Sequence, residues 1–368
     1  MNADTGVGFE PETLEDDTQS IEHPFDPEKI QTMTLQMPLS LIVTRINHGE
    51  IDLNPDFQRR PGLWSKVAQS RLIESLLLKI PLPAFYFDST SDERWVVVDG
   101  LQRLTAIHCF FTGKFRLTGL EFLTDLNNKP YDDLSRPFRR RIDETQLTVS
   151  KILPGTPDDV KFNIFKRINT GGLPLSSQEI RRALYRGQAS TILEELVASK
   201  PFEEATEFTS GGDRRENEEL VLRFLAHSHL GLEAYTKSDL DDFLNVAMES
   251  LNDASTPVLD LLRTRFTQAM QLAKRIFGVN AFRKPVKKNR TQINKALFET
   301  WGCLLGGLSE EQAARIAMDD DLCRKIERGF LELMNDPEYE ASISTGTSSK
   351  VKVRLRFNKV SALLEGCL

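Results

Sequence analysis

Apolar and polar residues alternate through Met33, Leu35 and Met37, a period of two that predicts a short strand. A helical period then runs from Ser40 through Leu41, Ile42 and Ile46 and ends near Gly49. Asn54-Pro55-Asp56-Phe57-Gln58-Arg59-Arg60-Pro61 breaks both patterns and reads as a loop. Ser65 reads as the N-cap of a helix whose apolar side is Val67, Leu72, Ile73, Leu76, Leu77 and Ile80, stopped by Pro81-Leu82-Pro83. Residues 84–87 and 94–98 read as two strands joined by a polar stretch. The second runs into Asp99-Gly100, where a helix begins at once, with Leu101, Leu104, Ile107 and Phe111 on its apolar face. A further strand pair is expected at 115–117 and 145–152. Residues 161–168 are again helical and end at Asn169-Thr170-Gly171-Gly172. Ser176, with Glu179 three positions on, has the capping-box spacing.

From about residue 189 only helical periods remain: 191–197, 217–230, 239–251, 258–277, 292–305 and 310–334. The expected organisation is a tail over 1–30, an α/β domain over 31–188 and an all-helical domain over 189–368. The fold class is α+β.

Composition adds limits. The chain has 368 residues, 40% of them hydrophobic and 27% charged, which excludes wholesale disorder. No stretch approaches the roughly 20 apolar residues of a membrane span. Residues 1–30 lack a basic region followed by an apolar run, so no secretory signal is expected there and the cytoplasm is the default. The net charge of −7 is uneven: residues 1–30 hold nine acids and one lysine, and the remainder sums to +1. The tail is therefore expected to stay mobile, and an acidic pI does not argue against a nucleic-acid partner. Such a tail can mimic DNA and occupy a basic groove of the body when idle. The four scattered cysteines form no metal-ligand spacing and read as reduced, buried thiols.

The segment carrying most chemistry is Trp95 to Ala106. A β-rich run meets a helix through a glycine turn, so the unpaired first-turn N–H groups and the helix dipole offer a place for phosphate. Gly100 allows close backbone approach, Leu101 follows it, and Arg103 stands in the first turn with a fork suited to phosphate oxygens. Gln102 can orient a base, a ribose or a water; Asp99 can hold a metal ion or a proton. An Asp-Gly turn before a helix also serves as a plain cap. Two other segments share this character. Gln58 and Arg59 lie in the irregular loop, and Lys166 and Arg167 precede Asn169, Thr170 and Gly171, where Asn169 can offer oxygen to Mg²⁺. Arg136, Arg139, Arg140 and Arg141 form one basic cluster. Arg283, Lys284, Lys287, Lys288 and Arg290 form another, the candidate contact to a nucleic-acid backbone. Lys350, Lys352, Arg354 and Arg356 alternate as on one face of an extended segment. His227 and His229, at i and i+2, face apart on a helix and make no metal pair.

These segments, in order, resemble the N-terminal domain of GmrSD-type restriction proteins. They are Asn54-Pro55 to Arg59, Trp64, Leu72 to Ser75, Ile80 to Pro83, Asp99-Gly100-Leu101-Gln102-Arg103, Arg167 to Gly171, Leu175-Ser176 and Gln178 to Arg181. The later segments Glu219 to Leu225, Phe277 to Phe282 and Arg356-Phe357 resemble the family's usual continuation. The resemblance implies a ParB/sulfiredoxin-like small mixed sheet with helices. It implies nucleotide phosphate held at Gly100 and Arg103, and Asn169 as the counterpart of a group that helps place a divalent metal, to which we add Asp99. It further implies a protein that binds or hydrolyses nucleoside triphosphates in defence against phage DNA. From the site residues we expect Mg²⁺-dependent hydrolysis, with Asp99, Gln102, Arg103 and Arg59 as the catalytic set. The chain departs in two ways. The signature D-G-Q-Q-R reads D-G-L-Q-R, and none of the five histidines stands in an H-N-H arrangement, so a nuclease would come from a separate subunit. Two other outcomes stay open: a non-catalytic nucleotide- or DNA-binding switch that recruits a nuclease, and a DNA-nicking nuclease. Self-association into a homo-oligomer is compatible with each.

Overall fold

A computed structural model describes residues 9–10, 30–53, 64–89, 94–168, 175–208, 214–236, 239–285 and 292–368. They form two compact units, His23–Leu184 and Tyr185–Leu368, the second joined by Met1–Glu22.

The first unit is α+β. In chain order it holds β1 (Thr32–Pro38), α1 (Leu39–Asn47), β2 (Ile51–Asp52), α2 (Lys66–Leu77), β3 (Phe85–Asp88) and β4 (Trp95–Asp99). There follow α3 (Leu101–Phe111), α4 (Arg136–Asp143), β5 (Gln146–Ile152), α5 (Asp158–Ile168) and α6 (Ser177–Leu184). The strands make one small mixed sheet in the order β1-β5-β3-β4-β2. β1 is antiparallel to β5, β5 parallel to β3, β3 antiparallel to β4, and β4 parallel to β2.

Strand alternation builds two cores from this sheet. Phe85, Phe87, Val97, Leu147 and Val149 face Ile42, Ile73, Leu76, Leu104, Ile107 and Ile142 from α1 to α4. On the other face Val98 and Ile152 meet Phe162 and Phe165 of α5 and Ile180 of α6. The expected caps are in place. Ser65 Oγ accepts from the Ala68 N–H at 3.2 Å. The Ser176 N–H donates to Glu179 and the Glu179 N–H to Ser176 Oγ, at 2.7 and 3.2 Å.

One expected strand is absent. Residues 115–117 join no sheet; Leu117 instead exchanges backbone bonds with Lys129 and Asn128, at 3.1 and 2.7 Å. Left-handed glycines at 113 and 119 flank the stretch and curl it back before it can reach the sheet. Its expected partner is β5, which pairs with β1 and β3. The curl is pinned by buried Glu74 of α2, whose carboxylate accepts the N–H groups of Glu121, Phe122 and Leu123 at 3.0, 2.8 and 2.7 Å. Burial opposes this charge, but the three N–H donors and Arg71 outweigh it and hold Glu74 below its ordinary pKa.

The second unit holds α7 (Gln188–Val197), α8 (Lys200–Thr206), α9 (Arg214–Leu230), α10 (Leu240–Asn252) and α11 (Thr256–Phe277). It continues through α12 (Lys295–Gly306), α13 (Glu310–Met318), α14 (Asp320–Leu333), α15 (Pro337–Ser344) and α16 (Lys350–Cys367). The single helical run expected over 310–334 is divided at Asp319, whose carboxylate caps α14 by accepting from the N–H groups of Asp321 and Leu322. The basic alternation from Lys350 is helical, not extended. Val353, Phe357, Val360 and Leu364, buried at helical spacing, outweigh the period-two charge pattern. Arg356 on this helix is 1% exposed and ion-paired to Glu299 of α12, beside Arg223 of α9. Among the described residues no helix is long and apolar enough to cross a membrane.

Candidate functional site

β4 hands over to α3 at Gly100, which has a left-handed φ of 102°. No other residue type fits. A Cβ there would lie 2.5 Å from Phe85 Cδ1, and the backbone conformation is one that side chains disfavour. Gly100 occupies the N-cap of α3 with no side chain to satisfy the first-turn N–H groups, while its carbonyl accepts from Leu104 at 2.8 Å.

Arg103 folds back over this corner. Its Nη2 donates to Asp99 Oδ2 at 2.8 Å and to the Ala84 carbonyl at 3.1 Å, and its Nη1 donates to the Pro83 carbonyl. The guanidinium carbon sits 4.4 Å from the centre of the Phe85 ring. These bonds take up three of the five N–H groups, so the side chain first of all fastens the Pro83-Ala84 approach to β3 against the β4–α3 turn. Burial raises the pKa of Asp99 against the pull of Arg103 and of the Gly100 N–H. It lowers that of Arg103 against the pull of Asp99. The pair is thus held in a poorly hydrated place, with 12% and 23% of the arginine and aspartate side chains exposed.

The other candidate residues fall out as follows. Leu101 is buried, and Gln102 is half-buried on the first turn of α3. Lys166 and Arg167 are exposed in the last turn of α5, next to Phe165, which shares a hydrophobic cluster with Val98, the neighbour of Asp99. The cluster therefore ties this basic helix end to the strand carrying the signature. Gln58, Arg59, Asn169, Thr170 and Gly171 lie outside the described residues, as do Lys287, Lys288 and Arg290. Arg283 does not meet the expectation of a nucleic-acid contact. It is 1% exposed and donates to the carbonyls of Thr206, Ala281 and Val279 at 2.7, 3.0 and 3.3 Å. Its place directly after buried Ala281 and Phe282 draws it inward. Lys284 is half-buried, and its ammonium reaches Ser344 Oγ at 2.8 Å. His227 and His229 form no metal pair: His229 bonds Ser250 Oγ, and His227 is buried among Tyr235, Phe243 and Phe357.

Sequence reasoning gave no individual role to Gln178 and Arg181 of α6. Gln178 and Arg181 are 1% and 0% exposed, and the Arg181 guanidinium lies 5.3 Å from the Phe162 ring centre behind the sheet. Their signal was two polar residues in the core phase of a short helix beside Ile180. As for a metal, the described residues hold no cluster of three or more His, Cys, Asp or Glu side chains. One oxygen of Asp99 is already bound to a guanidinium, which repels a neighbouring cation. Asn169, the other candidate ligand, lies outside the described residues.

Residues 39–186 match the family model of the GmrSD restriction endonuclease N-terminal domain. The α+β unit is a GmrSD-type domain. A comparison with curated proteins finds no match. The match runs from the start of α1 to just past α6, so it takes in the glycine corner, the α5 helix end and the buried α6 pair. The helical unit lies almost wholly beyond the match.

Proposed function

We propose that the chain is a nucleoside-triphosphate-dependent component of defence against phage DNA, with the glycine corner as its nucleotide site. The observation that carries this reading is the uncapped, left-handed Gly100 start of α3, walled by the Asp99–Arg103 pair. Backbone N–H groups of the first turn bind phosphate oxygens, and the absent Cβ leaves room for approach. Gln102 orients the nucleotide or the attacking water. Arg103 fastens the corner and lends its charge to the phosphates through its two remaining N–H groups. Asp99 fixes that guanidinium rather than taking a proton. Lys166 and Arg167 neutralise phosphate from the α5 end, joined by Gln58, Arg59, Thr170 and Gly171 from the two loops. Magnesium would come with the triphosphate as its counter-ion, and Asn169 is the proposed protein oxygen donor to it. The helical unit engages DNA or a separate nuclease subunit.

A second reading is favoured by one observation: Asp99 is already committed to Arg103, leaving no carboxylate at the corner among the described residues to activate water. The domain then binds nucleotide and turns nothing over, acting as a switch. One experiment separates these. Purified protein is incubated with each triphosphate, Mg²⁺ and plasmid, and phosphate release and nicking are followed for the wild type and Gln102→Ala. Release lost in the variant supports hydrolysis. Saturable binding without release supports the switch. Nicking without any triphosphate contradicts both.

A further inference from the structure

β1 is an edge strand. It bonds β5 along one side, and no described residue bonds its other side. The ladder at its two ends fixes which main-chain groups lie on that open side. The Leu39 N–H donates to the Thr145 carbonyl at 2.9 Å, and the Leu153 N–H donates to the Gln31 carbonyl at 2.8 Å. Odd-numbered residues from Gln31 to Leu39 therefore turn their main chain toward β5, and the even-numbered ones turn theirs outward. Pro38 has no N–H, and its carbonyl stands at the N-cap of α1. Thr32, Thr34 and Gln36 are left presenting both a donor and an acceptor on the open edge.

Edge strands are commonly guarded against further pairing by a charge, a bulge or a covering element. Among the described residues β1 has none of these. No charged residue stands from Ile30 to Thr44. The register with β5 runs unbroken from Thr32 to Pro38, and the proline lies at the end of the strand. On the core-side face Met33 is 44% exposed and Leu35 half-buried. On the other face Thr34 Oγ1 lies 3.0 Å from Ser150 Oγ, and Gln36 Nε2 donates to Thr148 Oγ1 at 3.0 Å.

We propose that β1 pairs antiparallel with β1 of a second copy of this chain, about a two-fold axis through Thr34. This register joins all three outward residues: Thr34 to Thr34 of the other copy, and Thr32 to Gln36 in both directions. Each pair exchanges both of its main-chain bonds. An axis through Leu35 would set Thr32 against Pro38, which has no N–H to complete the pair. Because the side-chain period is two, the Thr34 axis also keeps the faces matched. Met33 falls beside Leu35 of the other copy, and the Thr34 and Gln36 ladder continues across the axis. The absence of charge is what lets the strand face itself, since a charge at position 34 would meet its own copy. β5 stands between β1 and the strands that build the Gly100 corner, so that corner takes no part in the pairing.

The test is sedimentation velocity of the full chain and of the variants Thr34→Lys and Thr34→Glu, each alone and the two mixed in equal amounts. Thr34 is exposed, and circular dichroism checks that the variants are folded. The wild type is expected at twice the mass of one chain. Each variant alone is expected at the mass of one chain, because like charges meet at the axis. The mixture is expected to return to the doubled mass, because opposite charges then face each other. A wild type that keeps the mass of one chain at its highest soluble concentration overturns the pairing. Folded variants that keep the doubled mass overturn it too, since the copies then meet elsewhere, and a mixture that stays single overturns the axis. Amide exchange of the wild type reads the same edge without any substitution. The N–H groups of Thr32, Thr34 and Gln36 are expected to exchange more slowly in concentrated than in dilute protein, and equal rates contradict the pairing.

Discussion

Arg103 spends its fork on two carbonyls and a carboxylate, which lysine cannot reproduce from one ammonium. Arg103→Lys is accordingly expected to lower stability by about 1–2 kcal/mol in urea titrations, because the Pro83 and Ala84 carbonyls and the half-buried Asp99 carboxylate cannot all keep a partner. Gly100→Ala meets the Phe85 ring and a disfavoured φ, so it is expected to cost a further ~1–3 kcal/mol. Phe85→Leu in the same chain is expected to return part of that loss, since the ring edge is the obstacle; the urea midpoints of the two variants check it. The glycine turn was legible in the sequence because a β-run abutting a helical period leaves no room for anything else. What Arg103 touches was not. Pro83 and Ala84 come within its reach only through the antiparallel register of β3 and β4, which places Tyr86 opposite Asp99.

Elements with one strong period were legible, and those with two competing ones were not. α2 follows its cap and buries Leu72, Ile73, Leu76 and Leu77 as expected, while Val67 stays exposed and Ile80 lies past the helix end, exposed too. Lys350 to Arg356 offered a period-two charge pattern, and only the buried positions further along show that the helix wins. Residues 115–117 looked like a strand because nothing local announces that Glu74, far away in sequence, folds the turn after them. Glu74→Gln is expected to destabilise the first unit by about 1–3 kcal/mol, as three N–H donors then face a neutral amide. The pH dependence has a definite sign. The folded pKa lies below the ordinary 4.5, so the contribution is full above 4.5 and is lost as pH falls through the lowered folded value. The variant's acid denaturation profile is expected to lack that loss.

At the scale of the molecule, the sequence announced an α+β part and a helical part, and two such units are present. The interior of the helical unit was illegible, because Arg223, Glu299 and Arg356 come from three helices and meet only in the packed core. Beside them His227 is buried, which pushes its pKa down to about 4, with Glu299 pulling up and Arg356 and Arg223 pulling down. The unfolded chain takes up this proton near 6.5 and the folded chain near 4, so the unfolded state binds more protons between them. Stability contributed here is full above 6.5 and declines as pH falls toward 4, by up to roughly 1.4 kcal/mol per pH unit. Denaturant titrations at pH 7 and pH 5 are expected to show a smaller difference for His227→Phe than for the wild type.

The nucleotide site is tested most directly by titration calorimetry of the full chain with each triphosphate in the presence of Mg²⁺. A saturable heat for at least one of them, abolished in a folded Gln102→Ala variant, is the result expected of a phosphate-binding corner. No heat with any triphosphate, or heat unchanged by the substitution, would contradict it.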